Sequence, residues 1–344
     1  MKKIDLRSDT VTLPTEGMFN AISNADLGDD VFNEDPTINH LEELAAKTFN
    51  KAAALFVPSG TMANLVAVLS HCQRGDEVIL GDQSHTFLYE AGGISAFGGI
   101  HSRQLSNQED GTIEIEDIKN AIRKDDVHFP PTRLICLENT HNRCFGMPLS
   151  VGYTNSVAEI AKNNSLDIHI DGARIFNAAV ASGVSVSELT EKVDSVSFCL
   201  SKGLSAPAGS LLCGTKEFIS RARRNRKALG GGMRQAGILA AAGIVALENM
   251  TGRIIEDHNN AKSLAEGISS IEGIIINPDM IKTNIIYFSL DHSKITSELL
   301  LEKMLKKNIH FFELGPSWFR LVTHAGISKD DINFVVGEFD RILS

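Results

Sequence analysis

Short apolar segments alternate with longer segments of helical periodicity through residues 53–199. The apolar segments, which are partly β-branched, are residues 53–57, 78–80, 134–137, 168–170 and 196–199. Between them, residues 65–72, 156–163 and 186–192 carry apolar side chains at helical spacing. This alternation predicts an α/β fold with a mainly parallel, doubly wound sheet. Polar side chains that follow the strands are then expected to gather at one edge of the sheet.

The pattern changes after about residue 251 to one in which helices and strands are mixed. Helices are predicted at 257–269, 296–306 and 331–343, a strand at 285–289, and a pair of strands around Phe311 and Leu321. This order is typical of a smaller α+β domain. We therefore predict two domains: residues 1–250, an N-terminal segment with the large α/β domain, and residues 251–344, the small domain.

The overall charge limits the kind of partner. The formal net charge of −10 disfavours proteins that bind nucleic-acid backbones, which need an excess of Lys and Arg. The basic run at residues 221–227 is the exception, and a solvated helix face explains it better than nucleic-acid binding does, given the overall acidity. No stretch approaches the roughly 18 apolar residues needed to span a bilayer. We expect a small-molecule ligand, and neither nucleic acid nor a membrane as partner.

Five cysteines, Cys72, Cys136, Cys144, Cys199 and Cys213, are scattered without CxxC spacing. They suggest neither a disulfide framework nor a zinc site, and a reducing cytoplasm fits them best. No ligand spacing predicts another metal, although a structural monovalent or calcium ion stays open.

The first chemical motif is Pro58-Ser59-Gly60-Thr61, which follows a predicted strand and opens a helix. Free amide groups and the positive end of the helix dipole suit a phosphate there. Gly60 allows close approach of the backbone, and Thr61 can add a hydroxyl donor. The alternative is an ordinary capped helix without a ligand.

Two further motifs follow predicted strands. Asp171 ends an apolar strand, where a carboxylate can keep a pyridine nitrogen protonated; it can equally cap the next helix. Lys202 follows the strand at 196–199 among small residues, and dry surroundings make its amine available for an imine bond. Most lysines, by contrast, are solvated surface charges.

Together, Gly60, Asp171 and Lys202 resemble the phosphate cradle, ring-nitrogen partner and imine lysine of the fold-type I pyridoxal-phosphate enzymes, the aspartate aminotransferase superfamily. Within it, the chain is similar over nearly its whole length to low-specificity L-threonine aldolases. The similarity rests on ordered motifs: Asp5-Leu6-Arg7-Ser8-Asp9-Thr10, Gly28-Asp29-Asp30-Val31, Ser59-Gly60-Thr61-Met62-Ala63-Asn64, Glu90-Ala91-Gly92-Gly93, Glu138-Asn139-Thr140-His141-Asn142, His169-Ile170-Asp171-Gly172-Ala173-Arg174, Leu200-Ser201-Lys202-Gly203-Leu204 and Gly230-Gly231-Gly232-Met233-Arg234-Gln235.

The resemblance implies a fold-type I enzyme with a mainly parallel seven-stranded sheet and pyridoxal 5′-phosphate as cofactor. Lys202 would hold the cofactor, Asp171 would face its ring nitrogen, and Gly60 and Thr61 would bind its phosphate. Lys227 and Arg234 would complete that phosphate site from a neighbouring subunit, although Lys227 could simply be solvated. The implied assembly is a homotetramer, a dimer of dimers with active sites at the dimer interface.

The resemblance also assigns the substrate site. His85 would stack on the cofactor ring, and Ser8, Arg174 and Arg320 would grip the substrate carboxylate, with Arg174 close to the cofactor as well. Tyr89 and Phe32 would line the pocket. Phe32 stands where related sequences often have tyrosine, so a hydroxyl is missing, and residues 143–148 also differ from the forms expected in the family.

The implied reaction is retro-aldol cleavage of L-threonine, L-allo-threonine or a related β-hydroxy amino acid into glycine and an aldehyde, which links the chain to threonine catabolism and glycine biosynthesis. The hydroxyl proton could pass to His85, to His128 or to a bound water. Two other functions stay open. The same residues could serve a β-eliminating lyase or aminotransferase, or a cofactor-binding regulatory protein without turnover. Sequence does not separate threonine from allo-threonine as the preferred substrate.

Overall fold

The computed structural model describes residues 2–344. Its strands are β1 (Ile4–Asp5), β2 (Ala53–Val57), β3 (Glu77–Gly81), β4 (His101–Leu105), β5 (Thr132–Glu138), β6 (Asp167–Asp171), β7 (Ser195–Cys199), β8 (Ser210–Gly214), β9 (Ile274–Ile275), β10 (Ile285–Leu290), β11 (Ile309–His310), β12 (Phe312–Gly315) and β13 (Trp318–Val322). Its α-helices are α1 (Glu16–Ser23), α2 (Pro36–Thr48), α3 (Gly60–His71), α4 (His85–Leu88), α5 (Gly93–Ala96), α6 (Ile115–Ala121), α7 (Val151–Asn163), α8 (Ile175–Ser182), α9 (Val186–Leu189), α10 (Lys216–Ala228), α11 (Gly237–Val245), α12 (Ile254–Ser269), α13 (Ser297–Lys306) and α14 (Lys329–Leu343).

A seven-stranded sheet forms the large layer, in the order β2-β8-β7-β6-β5-β3-β4. Only β8 runs against its neighbours, β2 and β7, so the sheet is mainly parallel as predicted. All five predicted strands are present. Two strands of this sheet were not predicted. β4 is a polar edge strand without an apolar run, and β8 follows Lys202 after a short loop.

Helix boundaries depart from the predictions where polar caps, and not apolar spacing, set them. The helix expected at 65–72 begins at Gly60, because the Ser59 hydroxyl accepts a hydrogen bond from the Met62 amide at 3.2 Å. Likewise, the helix expected at 156–163 begins at Val151 behind the capping residue Ser150. The helix expected at 186–192 is shorter and ends at Leu189.

The smaller layer is a four-stranded antiparallel sheet in the order β12-β13-β10-β9. Helices α12 and α14 contact each other, and both contribute to a second core with this sheet, separate from the main one. This confirms the predicted α+β organisation of the C-terminal part. Ile4 and Leu6 pack in the same second core, where β1 pairs with β11 in parallel. The division of the chain at residue 250 remains a prediction.

One helical run does not match the expectation about apolar stretches. Residues 237–269, which include α11 and α12, are long and apolar enough by length and composition to cross a membrane. The same property is found in core helices of soluble proteins, and here Ala240 and Ala242 are fully buried in the main core, where α11 packs against α1 and α2. The run therefore serves the core of this fold.

Candidate active site

A cavity of about 330 Å³ lies where strand-end residues, the N-terminal segment and β12–β13 meet. It is lined by Ser8, Thr10, His85, Tyr89, Asn142, Arg143, Arg174, Lys202, Phe312, Leu314 and Arg320. Six residues predicted from the sequence are thus brought together from distant parts of the chain. This convergence is what a parallel sheet produces at the carboxyl ends of its strands.

Lys202 follows β7 in the loop that leads to β8, and its side chain is half-buried. The Thr12 hydroxyl donates a hydrogen bond to the Lys202 carbonyl at 2.9 Å, so the N-terminal segment fixes the loop that carries the amine. The main sheet thus places a single amine on the wall of the cavity.

Asp171 ends β6 and is only 4% exposed. One carboxylate oxygen accepts a hydrogen bond from Asn64 Nδ2 at 2.8 Å, and the other accepts one from the Ala173 amide at 3.1 Å. Hydrogen bonds on both oxygens fix the direction of the carboxylate. Asp171 is therefore a buried acid held in place on both oxygens.

His85, at the start of α4, lies beside this acid. Its Nδ1 is 2.9 Å from Glu90 Oε1, and the ligand atoms of His85, Glu90 and Asp171 lie within 4.8 Å of one another. Burial favours the neutral ring, yet the Glu90 hydrogen bond and the Asp171 charge raise the pKa of His85 above its ordinary value. Burial and the Asp171 charge likewise raise the pKa of Glu90. The cluster can hold and release a proton.

Arg174 is buried against Asp9. Its Nε and Nη2 each donate to one Asp9 oxygen at 2.7 Å, a bidentate pair with side chains 6% and 0% exposed. Burial alone would raise the pKa of Asp9, but the Arg174 charge and hydrogen bonds hold it well below its usual range. Nε and one N–H of Nη2 are thereby used by Asp9, which leaves Nη1 as the guanidinium nitrogen that makes no bond to this carboxylate.

Arg320 reaches the same cavity from β13 in the second sheet. Its Nη1 donates to Asn142 Oδ1 at 3.1 Å, an oxygen that also faces Arg174 Nη1 at 3.4 Å. Arg320 Nη2 donates to the Arg7 carbonyl at 3.1 Å, and its buried Nε finds no acceptor among residues 2–344. The guanidinium groups of Arg174 and Arg320 therefore both face the amide oxygen of Asn142.

The two residues predicted to bind a phosphate, Gly60 and Thr61, do not line the cavity. The amides of Gly60 and Thr61 begin α3 and have no hydrogen-bond acceptor within the described chain. A Cβ on Gly60 would come within 2.8 Å of Cys199 Sγ, so a glycine is required where α3 meets β7. An amine, a buried carboxylate and open amide donors are what pyridoxal 5′-phosphate requires, so these residues fit that group.

Besides Asp171, Gly60 and Thr61, four predicted site residues do not line this cavity. Lys227 lines a separate cavity of about 450 Å³ together with Arg223 and Arg226. Arg234 is exposed, pairs with Asp29 at 2.9 Å and lies over the Phe32 ring, which is itself 68% exposed. His128 sits on a loop with its side chain 81% exposed, paired with Asp126. Within one chain, none of the four meets Lys202.

Sequence reasoning assigned no role to three residues that shape the site. They are Asp9, which binds Arg174, Asn142, which binds both arginines, and Glu90, which binds His85. Each lies in a motif used for the resemblance above, but only the fold shows which partner it meets. The one signal that could have indicated these residues from the sequence is that each is a polar residue within such a motif.

Known proteins resemble the chain in sequence and fold. The sequence model of the β-eliminating lyase family matches residues 5–291. Low-specificity L-threonine aldolase 1 of Arabidopsis thaliana is 48% identical over 347 residues, covering 100% of this chain and 97% of that protein. The low specificity L-threonine aldolase of Escherichia coli K12 is 44% identical over 341 residues, covering 99% of each.

Solved structures share the fold at lower identity. A threonine aldolase from Leishmania major superposes with a TM-score of 0.85 at 17% identity, covering 99% of this chain and 100% of the other. A structure of SPT with PLP superposes with a TM-score of 0.77 at 17% identity, covering 99% and 87%. These structures establish the fold-type I architecture.

Proposed function

The chain belongs to the β-eliminating lyase family and, within it, to the low-specificity L-threonine aldolases, and from this premise we propose that it cleaves L-threonine and L-allo-threonine into glycine and an aldehyde. Related β-hydroxy amino acids are substrates of the same kind. The observation that carries this proposal is the convergence of Lys202, Arg174 and Arg320 on one cavity, next to the buried Asp171.

Pyridoxal 5′-phosphate, when bound, withdraws electrons from the bonds to the α-carbon of an attached amino acid. Lys202 is the residue that would hold it covalently, and Asp171 would face its ring nitrogen. Gly60 and Thr61 would donate to its phosphate. The two hydrogen bonds on Asp171 hold that carboxylate in a fixed direction.

Arg174 and Arg320 bind the substrate carboxylate. Arg174 offers Nη1, while Arg320 offers Nη1 and the unpaired Nε, and Ser8 lies on the same wall. Guanidinium groups suit a carboxylate because their planar donors match its two oxygens. Arg174 follows β6 of the seven-stranded sheet, and Arg320 lies on β13 of the four-stranded sheet. A bound carboxylate would therefore also link these two parts of the molecule.

His85 is our candidate for the group that takes the proton from the β-hydroxyl. It lines the cavity, whereas His128 does not, and Glu90 offers a second place for the proton at 2.9 Å. The pKa of His85 is raised above its ordinary value by the Glu90 hydrogen bond and the Asp171 charge. Because only the unprotonated ring can accept a proton, we expect cleavage to increase as pH rises through that pKa. A water held by His85 would act in the same way.

The test is incubation of purified protein and cofactor with each threonine diastereomer. We expect equal amounts of glycine and acetaldehyde, and the absence of aldehyde from both diastereomers would refute the proposal. The family model is described as β-eliminating lyase, so elimination is the second candidate. Conversion of L-serine to pyruvate at a rate above threonine cleavage would favour it.

We also propose that the working unit is a homodimer, paired further into a homotetramer. Lys227 and Arg234 miss the cavity of their own chain but carry charges suited to a neighbour's phosphate site, and exposed Leu13 and Phe19 offer apolar contact area. A mixture of inactive Lys202→Ala and Arg234→Ala proteins tests this. Random exchange of subunits makes about half of the dimers mixed, and each mixed dimer has one intact site out of two. About a quarter of wild-type activity should therefore return. No recovery would contradict a shared site.

We further propose a cytoplasmic location and a role in threonine catabolism and glycine supply. Five buried free thiols suit a reducing compartment. Cell fractionation with an antibody to the protein tests the location, and recovery only in a secreted fraction would contradict it.

A further inference from the structure

Glu138 is a buried acidic residue to which the site described above gives no role, although it belongs to the motif at residues 138–142. It ends β5, lies opposite Asp171 in the register of the sheet, and is 5% exposed. Its Oε2 accepts a hydrogen bond from the His85 amide at 2.6 Å, and its Oε1 accepts one from the Asn142 amide at 2.8 Å. One side chain therefore holds the backbone of two residues that line the cavity.

The residue type at this position follows from the two donors that meet there. A backbone N–H can only donate, so both oxygens of Glu138 must accept. A glutamine of the same length has a single acceptor oxygen and could satisfy only one of the two amides. Since a buried acidic group is costly without such partners, the two amide donors are what make Glu138 tolerable in this place.

The first amide begins α4, the short helix that carries His85. Ser84, the residue before this helix, makes no side-chain hydrogen bond that caps it. Glu138 supplies the missing acceptor from the neighbouring strand, because β5 pairs with β3 and α4 follows β3. The backbone from which the His85 ring reaches Glu90 at 2.9 Å is thereby fixed.

The second amide lies in the loop that follows β5. The Tyr287 hydroxyl donates to the Asn142 carbonyl at 2.8 Å, so with Glu138 on its amide both backbone polar groups of Asn142 are bonded. Its side-chain Oδ1 accepts from Arg320 Nη1 at 3.1 Å and from Arg174 Nη1 at 3.4 Å. The place of this oxygen between the two arginines therefore depends on a backbone that Glu138 helps to hold.

We propose that Glu138 is a positioning residue for both ends of the cavity: it holds the backbone of His85 and of Asn142, and so sets the histidine relative to the two arginines that Asn142 orients. Glu138 does not line the cavity, so it acts through these two residues and not on the substrate. The effect on turnover rests on the proposed function, whereas the hold on the two amides does not.

Hydrogen–deuterium exchange of the holoenzyme, read by mass spectrometry at single-residue resolution, tests this hold directly. Glu138→Gln leaves one acceptor for two amides, so we expect the amide of His85 or of Asn142 to exchange at least about tenfold faster. Asp194→Asn is the matched control, because Asp194 accepts the Ile168 amide at 2.8 Å at the opposite edge of the same sheet, and an asparagine can still accept from one amide. There we expect unchanged exchange at His85 and Asn142. Unchanged exchange at both amides in Glu138→Gln overturns the proposal.

Steady-state kinetics with L-threonine at saturating cofactor then connects each amide to its part of the site. Where exchange shows that the His85 amide has lost its acceptor, kcat should fall about tenfold with KM within about threefold. Where the Asn142 amide has lost it, KM should rise about tenfold with kcat within about threefold. Asp194→Asn should change neither constant by more than about twofold, even if it lowers the free energy of unfolding. A freed amide without the matching kinetic change contradicts the positioning role.

Double variants separate positioning from mere packing. In a His85→Ala background, Glu138→Gln should cause no further loss of kcat, because the side chain that it positions is gone. In an Asn142→Ala background, the same change should cause no further rise in KM. Losses that multiply in full in both backgrounds show that Glu138 does not act through these residues, and they contradict the proposal.

Glu138→Asp decides if Glu138→Gln does not fold. It keeps both acceptor oxygens on a side chain that is one methylene shorter, which cannot reach both amides, so the same results are expected in exchange and kinetics. Failure of the wild type to cleave threonine refutes the proposed function alone, because the exchange rates do not depend on turnover.

Discussion

Two arginines that the sequence assigned to the same active site are both paired with aspartates from the N-terminal segment, but in opposite environments. Arg174 and Asp9 are almost fully buried and share two hydrogen bonds on the wall of the cavity. Arg234 and Asp29 form an exposed pair, with side chains 53% and 19% exposed, away from that cavity. The Arg174–Asp9 pair is buried within one chain, whereas the Arg234–Asp29 pair is exposed and accessible to a partner molecule.

The difference shows that residues predicted for one active site need not lie together within one chain. Asp171 and Lys202 lie at the ends of neighbouring strands, β6 and β7, because the parallel sheet itself places them there. Lys227 lies on α10 and Arg234 follows that helix, so neither residue is placed by the end of a strand of this sheet. The following predictions test the contrast between the cavity region and this exposed region.

The largest effect is expected for the lysine of the cavity. Lys202→Ala should abolish covalent attachment of the cofactor and lower kcat for threonine cleavage by at least ~10³-fold. Lys227→Ala, in the exposed region, should weaken cofactor affinity by about tenfold and regain activity at excess cofactor. Exposed Lys216→Ala is the control. Absorbance spectra measure cofactor attachment and initial rates measure kcat. Equal losses of activity in Lys202→Ala and Lys227→Ala would contradict the prediction.

The next effect is on stability. Asp9→Asn should lower the free energy of unfolding by about 3–5 kcal/mol because it leaves Arg174 buried without a counter-charge. Asp29→Asn should cost less than about 1 kcal/mol, since that pair is exposed. Urea denaturation measures both, and a loss in Asp29→Asn as large as that in Asp9→Asn would contradict the argument.

The Asp9 contribution should also depend on pH. The folded-state pKa of Asp9 is depressed, so its stabilisation is fully present above the unfolded-state pKa of about 4. It is lost as pH falls through the folded-state pKa. The difference between wild type and Asp9→Asn should therefore narrow on acidification below about pH 4.

A smaller effect should separate substrate binding from cofactor binding. Arg320→Lys should raise KM for threonine about tenfold and leave kcat within about threefold, because a lysine cannot offer the same pair of donors to a carboxylate. Arg234→Lys should change cofactor affinity and not KM. Steady-state kinetics at saturating cofactor decide. An unchanged KM in Arg320→Lys would remove Arg320 from the substrate site.

The smallest effect is expected at the exposed histidine. His128→Ala should change kcat by less than about twofold, because its side chain is largely solvated and lines no part of the cavity. His85→Ala should lower kcat by about 10²-fold, the usual range for loss of a general acid–base group. A larger loss in His128→Ala would indicate that this loop reaches the site of another subunit.

Sequence reasoning predicted the fold well where apolar periodicity is strong. β2 was predicted with its observed bounds, and each other predicted strand was off by a few residues at most. It missed β4 because that polar edge strand has only one buried neighbour, β3. Periodicity also misplaced the start of α3, because a hydroxyl hydrogen bond at Ser59, and not an apolar residue, begins that helix.

For the site, residue types were predictable and partners were not. Lys202 and Asp171 could be identified because each follows an apolar strand. The role of Asp9 could not, because its partner Arg174 lies 165 residues away and only the folded chain brings them to 2.7 Å. Asn64 belongs to a motif, but its bond to Asp171 depends on how α3 packs on the sheet.

The shared oxygen of Asn142 has one more consequence. Arg320 and Arg174 both direct an N–H group at this neutral amide oxygen, so the chain itself holds the two guanidinium groups side by side. If these arginines bind the substrate carboxylate as proposed, the carboxylate would replace a neutral acceptor while the two side chains keep their positions, at little cost in rearrangement. Asn142 would then preorganise the two arginines for substrate.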